Sequence, residues 1–78
     1  LMNSPFVISQ AAVLAKRLFE GGVDPANRLN RLTELVYGRR PSKAEIDVSR
    51  VLVAADTPDG WLPICQALLC TNELIYID

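Results

Sequence analysis

Three times in its first 42 positions the chain joins proline to a side chain that caps helices: Ser4-Pro5, Asp24-Pro25 and Pro41-Ser42. A capping oxygen takes one of the orphan N–H groups of a first helical turn, and proline beside it lacks only an N–H that had no partner there. Each pair predicts a helix start. Apolar residues then recur every three or four positions: Val7, Ala11, Leu14, Ala15 and Leu18; next Leu29, Leu32, Leu35 and Val36; next Ala44, Val48, Val51, Leu52 and Ala55. That period describes the buried face of an α-helix. Gly21-Gly22 and Gly38 stop the first two helices, as left-handed caps do. Ser42 with Glu45 fits a capping box for the third. Arg28, Arg31 and Glu34 fall on the side of the second helix opposite its apolar stripe.

The run Asp56-Thr57-Pro58-Asp59-Gly60 is dense turn chemistry and breaks the chain before a fourth helix. A start at Thr57 would place Pro63 inside that helix and remove a backbone bond. A start near Gly60 or Trp61 leaves Pro63 in the tolerant first turn and is preferred. Trp61, Ile64, Cys65, Leu68 and Leu69 then face the core, with Asn72 as a left-handed C-cap. The segment Leu74-Ile75-Tyr76-Ile77 is too apolar to stand free, and packs back as a turn or short extended piece. The expected fold is all-α: one domain over residues 1–78, a compact bundle of four short helices with an apolar C-terminal tail packed on it.

At 78 residues only one core can form, and a chain of this size buries about 60% of its unfolded surface. Only five residues are aromatic, so Leu, Val, Ile and Ala must fill that core. The net charge of −1 hides an asymmetry: the first 50 residues sum to +3 and the remainder to −4. Mixed helix faces account for this most simply; opposed faces that orient the domain on its neighbours are the sharper reading. The apolar runs are too short for a membrane span. The chain opens at Leu1 without an initiator methionine, which reads as a C-terminal segment of a larger multidomain protein, any export signal lying upstream.

Histidine is absent. With it go His-based acid–base catalysis, the Ser-His-Asp arrangement and His-ligated zinc or haem. Cys65 and Cys70 alone make no convincing zinc site. Five positions on a helix rotate about 140° beyond a full turn and rise about 7.5 Å, too far for a disulfide. Cys65 is expected in the core and Cys70 half-buried, with a reactive or intermolecular thiol as the alternative for Cys70. Glu45 and Asp47 point to different sides of a helix. Asp56 and Asp59 suit backbone capping in a turn. No glycine-rich phosphate cradle occurs. The chain therefore reads as non-catalytic and free of cofactors and metals.

The basic turn Gly38-Arg39-Arg40-Pro41-Ser42-Lys43 has the layout of a helix-turn-helix, but Glu45 and Asp47 would sit near the groove and the net charge is negative. Nucleic acid is thus not an expected partner. The arginines suit the negative end of the second helix and nearby acids. Arg39, Arg40, Lys43 and Asn72 form the candidate interaction surface.

Three stretches together resemble one family: Leu1-Met2-Asn3-Ser4-Pro5-Phe6-Val7; Gly38-Arg39-Arg40-Pro41-Ser42 followed by Glu45; and Trp61 with Gln66-Ala67-Leu68-Leu69 and Asn72-Glu73-Leu74-Ile75-Tyr76-Ile77-Asp78. In this order and spacing they are similar to the C-terminal part of the planctomycete-specific PSD1 (DUF1553) domain family, whose function is unknown. The similarity spans nearly the whole chain but only about the last third of that family's domain. Thr33 stands where an aromatic is common and Leu74 where Phe is common; both look like core adjustments. The resemblance implies a large exported bacterial protein, periplasmic or at the cell surface, in which this segment follows another domain. Some such proteins carry a cytochrome-c-like or carbohydrate-binding-like module, but nothing places haem on these residues. Two readings follow. One is a helical module packing on other domains of its parent or on a protein partner. The other is one wall of a composite site, with Arg39, Arg40 or Asn72 reaching a ligand held upstream. Convergence of Arg39, Arg40, Trp61 and Asn72 on one exposed concave surface would favour the second.

Overall fold

A computed structural model describes the backbone of residues 4–77 and the side-chain surroundings of residues 4–71. Among the described residues there are four α-helices and no strand: α1 (Pro5–Arg17), α2 (Arg28–Tyr37), α3 (Lys43–Leu52) and α4 (Pro58–Ile77). The all-α bundle expected from the apolar period is present. α4 is its axis, and α1, α2 and α3 all pack against it, α1 most extensively.

Local chemistry sets the helix ends much as the sequence suggests. Ser4 Oγ accepts the Val7 N–H at 3.5 Å, a long contact, with Pro5 directly behind it. Val7, Ala11, Ala15 and Leu18 form the buried stripe of α1, and Lys16 and Arg17 suit the negative end of its dipole. Regular α1 stops at Arg17, before the two glycines; Phe19 and Glu20 donate to Lys16 and Arg17 carbonyls in tightened turns. Asp24-Pro25 starts a single 3-10 turn (Pro25–Asn27), with Asp24 Oδ1 accepting the Ala26 N–H, and α2 follows from it. Gly38 closes α2 at φ +70°, its N–H shared between the Thr33 and Glu34 carbonyls.

The core joins Ala11, Ala15 and Leu18 of the first helical segment to Leu32 of α2 and Trp61, Ile64, Cys65 and Leu68 of α4. Thr33 is fully buried, and its hydroxyl donates back to the Leu29 and Asn30 carbonyls, so burial leaves no polar atom stranded. Tyr37 packs at the edge of the core and donates its hydroxyl to the Leu68 carbonyl at 3.0 Å, tying the end of α2 to α4.

Four expectations need correction. First, α4 begins at Pro58, with Thr57 as its cap: Thr57 Oγ1 accepts the Gly60 N–H and the Thr57 carbonyl accepts the Trp61 N–H, both at 3.0 Å. The cap-then-proline logic of Ser4-Pro5 applies here too and outweighs the bond lost at Pro63. Pro63 forfeits only its link to the Asp59 carbonyl, on an exposed part of the helix.

Second, helix continues through Asn72 to Ile77, so Asn72 is not a C-cap and the segment 74–77 is neither a turn nor extended. Side-chain packing of this tail, including Tyr76, lies outside the described residues. Third, the α3 stripe Ala44, Val48 and Val51 does not enter the core; Val51 is 83% exposed and no residue of α3 is fully buried. Leu52 of the expected stripe does face inward, but with Glu45 and Ser49 as its neighbours on that face and Ile46 and Val53 beside it, all half-buried, while Ala55 is exposed. Fourth, Arg28 is not on the wet side of α2; it is 5% exposed.

Candidate functional site

The polar side chains form three groups, each fixed by a helix end. The innermost surrounds Arg28, at the first position of α2. Its Nη1 donates to the Leu18 carbonyl at 2.8 Å, satisfying a group that the end of α1 leaves without a helical partner. A weaker bond from the same nitrogen reaches the Val23 carbonyl at 3.4 Å. Nε and Nη2 form a fork on Asp56, at 3.0 Å to Oδ1 and 2.7 Å to Oδ2. Phe19 stacks beneath, 3.7 Å from guanidinium carbon to ring centroid. The Trp61 indole N–H donates to Asp56 Oδ1 at 3.0 Å.

The Arg28 fork holds the Asp56 carboxyl below its ordinary range, and the Trp61 N–H adds to this. The same fork raises the already high pKa of Arg28. Among the described residues Asp56 accepts from the Arg28 and Trp61 side chains and from no backbone donor, contrary to the turn reading. It joins the α3–α4 connection to the start of α2. Both of its oxygens accept bonds from the guanidinium, and Oδ1 also accepts the indole N–H.

The second group sits on the turn between α2 and α3. Ser42 and Glu45 complete the expected capping box: Glu45 N–H to Ser42 Oγ at 3.2 Å, Ser42 N–H to Glu45 Oε1 at 2.8 Å. Arg39 adds a fork on both Glu45 oxygens at 2.9 Å, while its guanidinium carbon lies 4.6 Å from the Tyr37 ring centroid. Arg39, and after it the Ser42 N–H, pull the Glu45 pKa from 4.5 to about 2. Burial, and after it the Glu45 charge, push the Tyr37 phenol up. Arg39 therefore reaches a nearby acid, as the basic turn suggests, and its fork is occupied. Lys43 lies on the exposed side of α3, 3.4 Å from Asp47.

The third group went unrecognised in the sequence. Arg40 turns to the α2 side, where with Val23, Asn27, Asn30, Arg31 and Glu34 it lines an open cleft of about 360 Å³. Arg31 and Arg40 form no ion pair among the described residues, although Glu34 lines the same cleft. The Nε of Arg31 is buried with no hydrogen-bond partner.

The candidate surface residues thus separate. Arg39 is clasped to α3, Lys43 stands outside it, and Arg40 belongs to the cleft on α2; the Asn72 side chain lies outside the described residues. Trp61 is a core anchor at 6% exposure. Those that are described do not share one concave surface. Nor do the described residues bring together three or more Cys, Asp or Glu side chains in a metal-binding group. Both cysteines are buried and free, and burial pushes the Cys65 thiol up to about 12. Cys70 is buried rather than half-buried, which removes the accessibility a reactive thiol needs.

Comparison with known proteins adds no assignment. No family model, curated protein or solved structure matches this chain. No helix among the described residues is long and apolar enough to cross a membrane.

Proposed function

We propose that this chain is a non-catalytic helical docking module, packing through α3 on neighbouring domains of a larger exported protein or on a protein partner. The observation that carries this reading is the face of α3. Ala44, Val48 and Val51 make a stripe at i, i+4 and i+7 that the bundle leaves in water, while Glu45 is turned inward by its bonds to Arg39 and Ser42. An apolar stripe on a well-capped helix is the pattern by which one helix docks in a groove of another protein. Beside it, α3 and α4 enclose an apolar groove of about 320 Å³ lined by Val48, Ile64, Ala67 and Leu68. The bacterial, extracytoplasmic setting and the parent's domain context rest on the family resemblance alone.

The test uses a thiol-reactive dye and Val51→Cys, with the buried native cysteines as a quiet background. Labelling in the full-length parent should be at least tenfold slower than in the isolated 78-residue chain. Equal rates would overturn the docking reading. The rival reading, one wall of a composite ligand site, draws its support from Arg40, which lines the cleft on α2 without an ion partner among the described residues.

A further inference from the structure

Of the arginines whose surroundings matter to the fold, two are saturated. Arg28 and Arg39 each hold both oxygens of a carboxylate with two guanidinium nitrogens. Arg31 and Arg40 carry the same planar group and hold no carboxylate among the described residues, yet both line one cleft with two side-chain amides, Asn27 and Asn30. The arrangement follows from sequence order. Asn27, Arg31 and Glu34 recur at helical spacing on one face of α2, and the left-handed Gly38 returns the chain so that Arg40 lies against that face. The Nε of Arg31 is itself buried and without a hydrogen-bond partner, so this guanidinium is not fully satisfied within the fold. A buried donor without an acceptor is costly, and native structures rarely leave one without a reason.

We propose that the Arg31–Arg40 cleft is a carboxylate-binding site, made to receive an acidic side chain of the polypeptide on which the module docks. The charge of the cleft selects the ligand class. Two guanidinium groups and the Glu34 carboxylate sum to +1. A singly charged carboxylate balances this, whereas a phosphate near −2 meets repulsion from Glu34. The planar fork of arginine matches a carboxylate, and the amides of Asn27 and Asn30 supply neutral donors to the same oxygens. Glu34 is then a gate on affinity, competing with the ligand for the same two cations. This deepens the docking reading by adding the chemistry of the partner, and it concerns a different face from the α3 stripe.

The experiment titrates the ¹⁵N-labelled chain at constant ionic strength with acetate, with inorganic phosphate, and with a short blocked peptide containing one glutamate. NMR reads the Arg31 Nε–H and the backbone amides of residues 27–34 and 40. Saturable shifts confined to these positions are expected, with the peptide tighter than acetate and phosphate no better than acetate. Arg40→Gln, at an exposed position, should weaken peptide binding about tenfold, the scale of one charge-assisted hydrogen bond. Arg31→Lys should weaken it as well, by removing the fork while keeping the charge.

Glu34→Gln should tighten it several-fold, a gain that a merely structural role for Glu34 would not produce. Shifts that never saturate, phosphate binding better than carboxylate, acetate binding as tightly as the peptide, or Glu34→Gln weakening or leaving affinity unchanged would each overturn the assignment. The labelling of α3 is read separately. Loss of carboxylate binding leaves the docking reading standing, and equal labelling at position 51 leaves a carboxylate site without its polypeptide partner.

Discussion

Arg28 and Asp56 meet edge to edge across 28 positions of sequence, Nε to Oδ1 at 3.0 Å and Nη2 to Oδ2 at 2.7 Å. The arginine is buried in this pair, while its partner carboxylate keeps 40% of its side-chain surface exposed. The carboxylate therefore retains some hydration, and the guanidinium depends on protein acceptors: Asp56, Leu18 and Val23. Two connections of the bundle, α1–α2 through Leu18 and Val23 and α3–α4 through Asp56, meet on one side chain. Removing the acid leaves a buried cation, which is more damaging than the loss of an exposed pair.

Asp56→Ala is accordingly expected to lower Tm well beyond the effect of Asp59→Ala, made three residues away in the first turn of α4. Arg28→Lys should fail to restore the wild-type melting temperature, because an ammonium group matches neither the carboxylate edge nor the two carbonyls at once. Thermal melts followed by helical circular dichroism check both. An Asp56→Ala protein melting with the Asp59→Ala protein would reduce the cluster to an ordinary surface contact.

Glu45 gives a pH dependence whose sign is fixed by its bonds. Its folded pKa is about 2, against an ordinary value of 4.5. A group depressed in the folded state contributes stability above its unfolded pKa and loses that contribution as pH falls through the folded value. Tm should decline between about pH 4.5 and pH 2, and Glu45→Gln should flatten that decline while lowering the plateau at neutral pH. Asp56 shifts in the same direction, so some acid sensitivity remains in the variant. Parallel pH–Tm curves for the two proteins would count against the Arg39–Glu45 clasp as a source of stability.

Gly60→Ala sets helix propensity against packing. In the interior of a helix alanine is favoured over glycine by roughly 0.5–1 kcal/mol. At Gly60, however, an added Cβ meets the backbone of Ala55, within 2.8 Å of its carbonyl carbon and 2.9 Å of its nitrogen. Backbone cannot swing aside as a side-chain tip can. The substitution should therefore destabilise, displacing the α3–α4 connection that carries Asp56. A denaturant midpoint at or above wild type would contradict the close approach.

Both thiols should be silent toward a disulfide dye in the native protein and react only on unfolding, since both are buried and the Cys65 thiol is pushed up to about 12. Comparing the labelling rate with the unfolding rate across denaturant concentrations checks this. A fast phase at zero denaturant would expose Cys70 as accessible.

The helix starts were legible because capping is local: Ser4-Pro5 and Ser42 with Glu45 act within three residues and start α1 and α3 where the sequence places them, whereas Asp24-Pro25 starts only the 3-10 turn that leads into α2 at Arg28. Thr57-Pro58 belongs to the same class. Pro63 obscures it in the sequence, although an early proline on a wet face loses a single bond. Arg28, Asp56 and Trp61 were not legible together. Their bonds join positions far apart in the chain, and charge alone assigns an arginine to solvent. The rotation of α3 was misread for a related reason. Apolar spacing gave Ala44, Val48 and Val51, but polar bonds from Arg39 and Ser42 draw Glu45 inward and turn that stripe out. The sequence offers Arg40 both to the negative end of α2 with nearby acids and to an interaction surface, while Arg31 and the cleft the two line need the return of the chain at Gly38 to be seen.

The rotation of α3 yields a comparison of two apolar residues that the periodicity alone treats as equals. Ile64 is fully buried in the core, and its truncation to alanine removes side-chain contacts on every side. That should cost about 2–5 kcal/mol, part from lost burial and part from the cavity left behind. Val51 is 83% exposed, so Val51→Asp disturbs no packing in the isolated chain and should stay within about 0.5 kcal/mol of wild type. In the full-length parent the same aspartate faces an apolar partner surface under the docking reading, and there it should weaken the contact while leaving the module folded. Urea unfolding of the isolated variants measures the first contrast, and protease release of the segment from the parent measures the second. A stripe that tolerates charge equally in both settings is only an exposed helix face; a stripe that tolerates it alone but not in the parent is an interface.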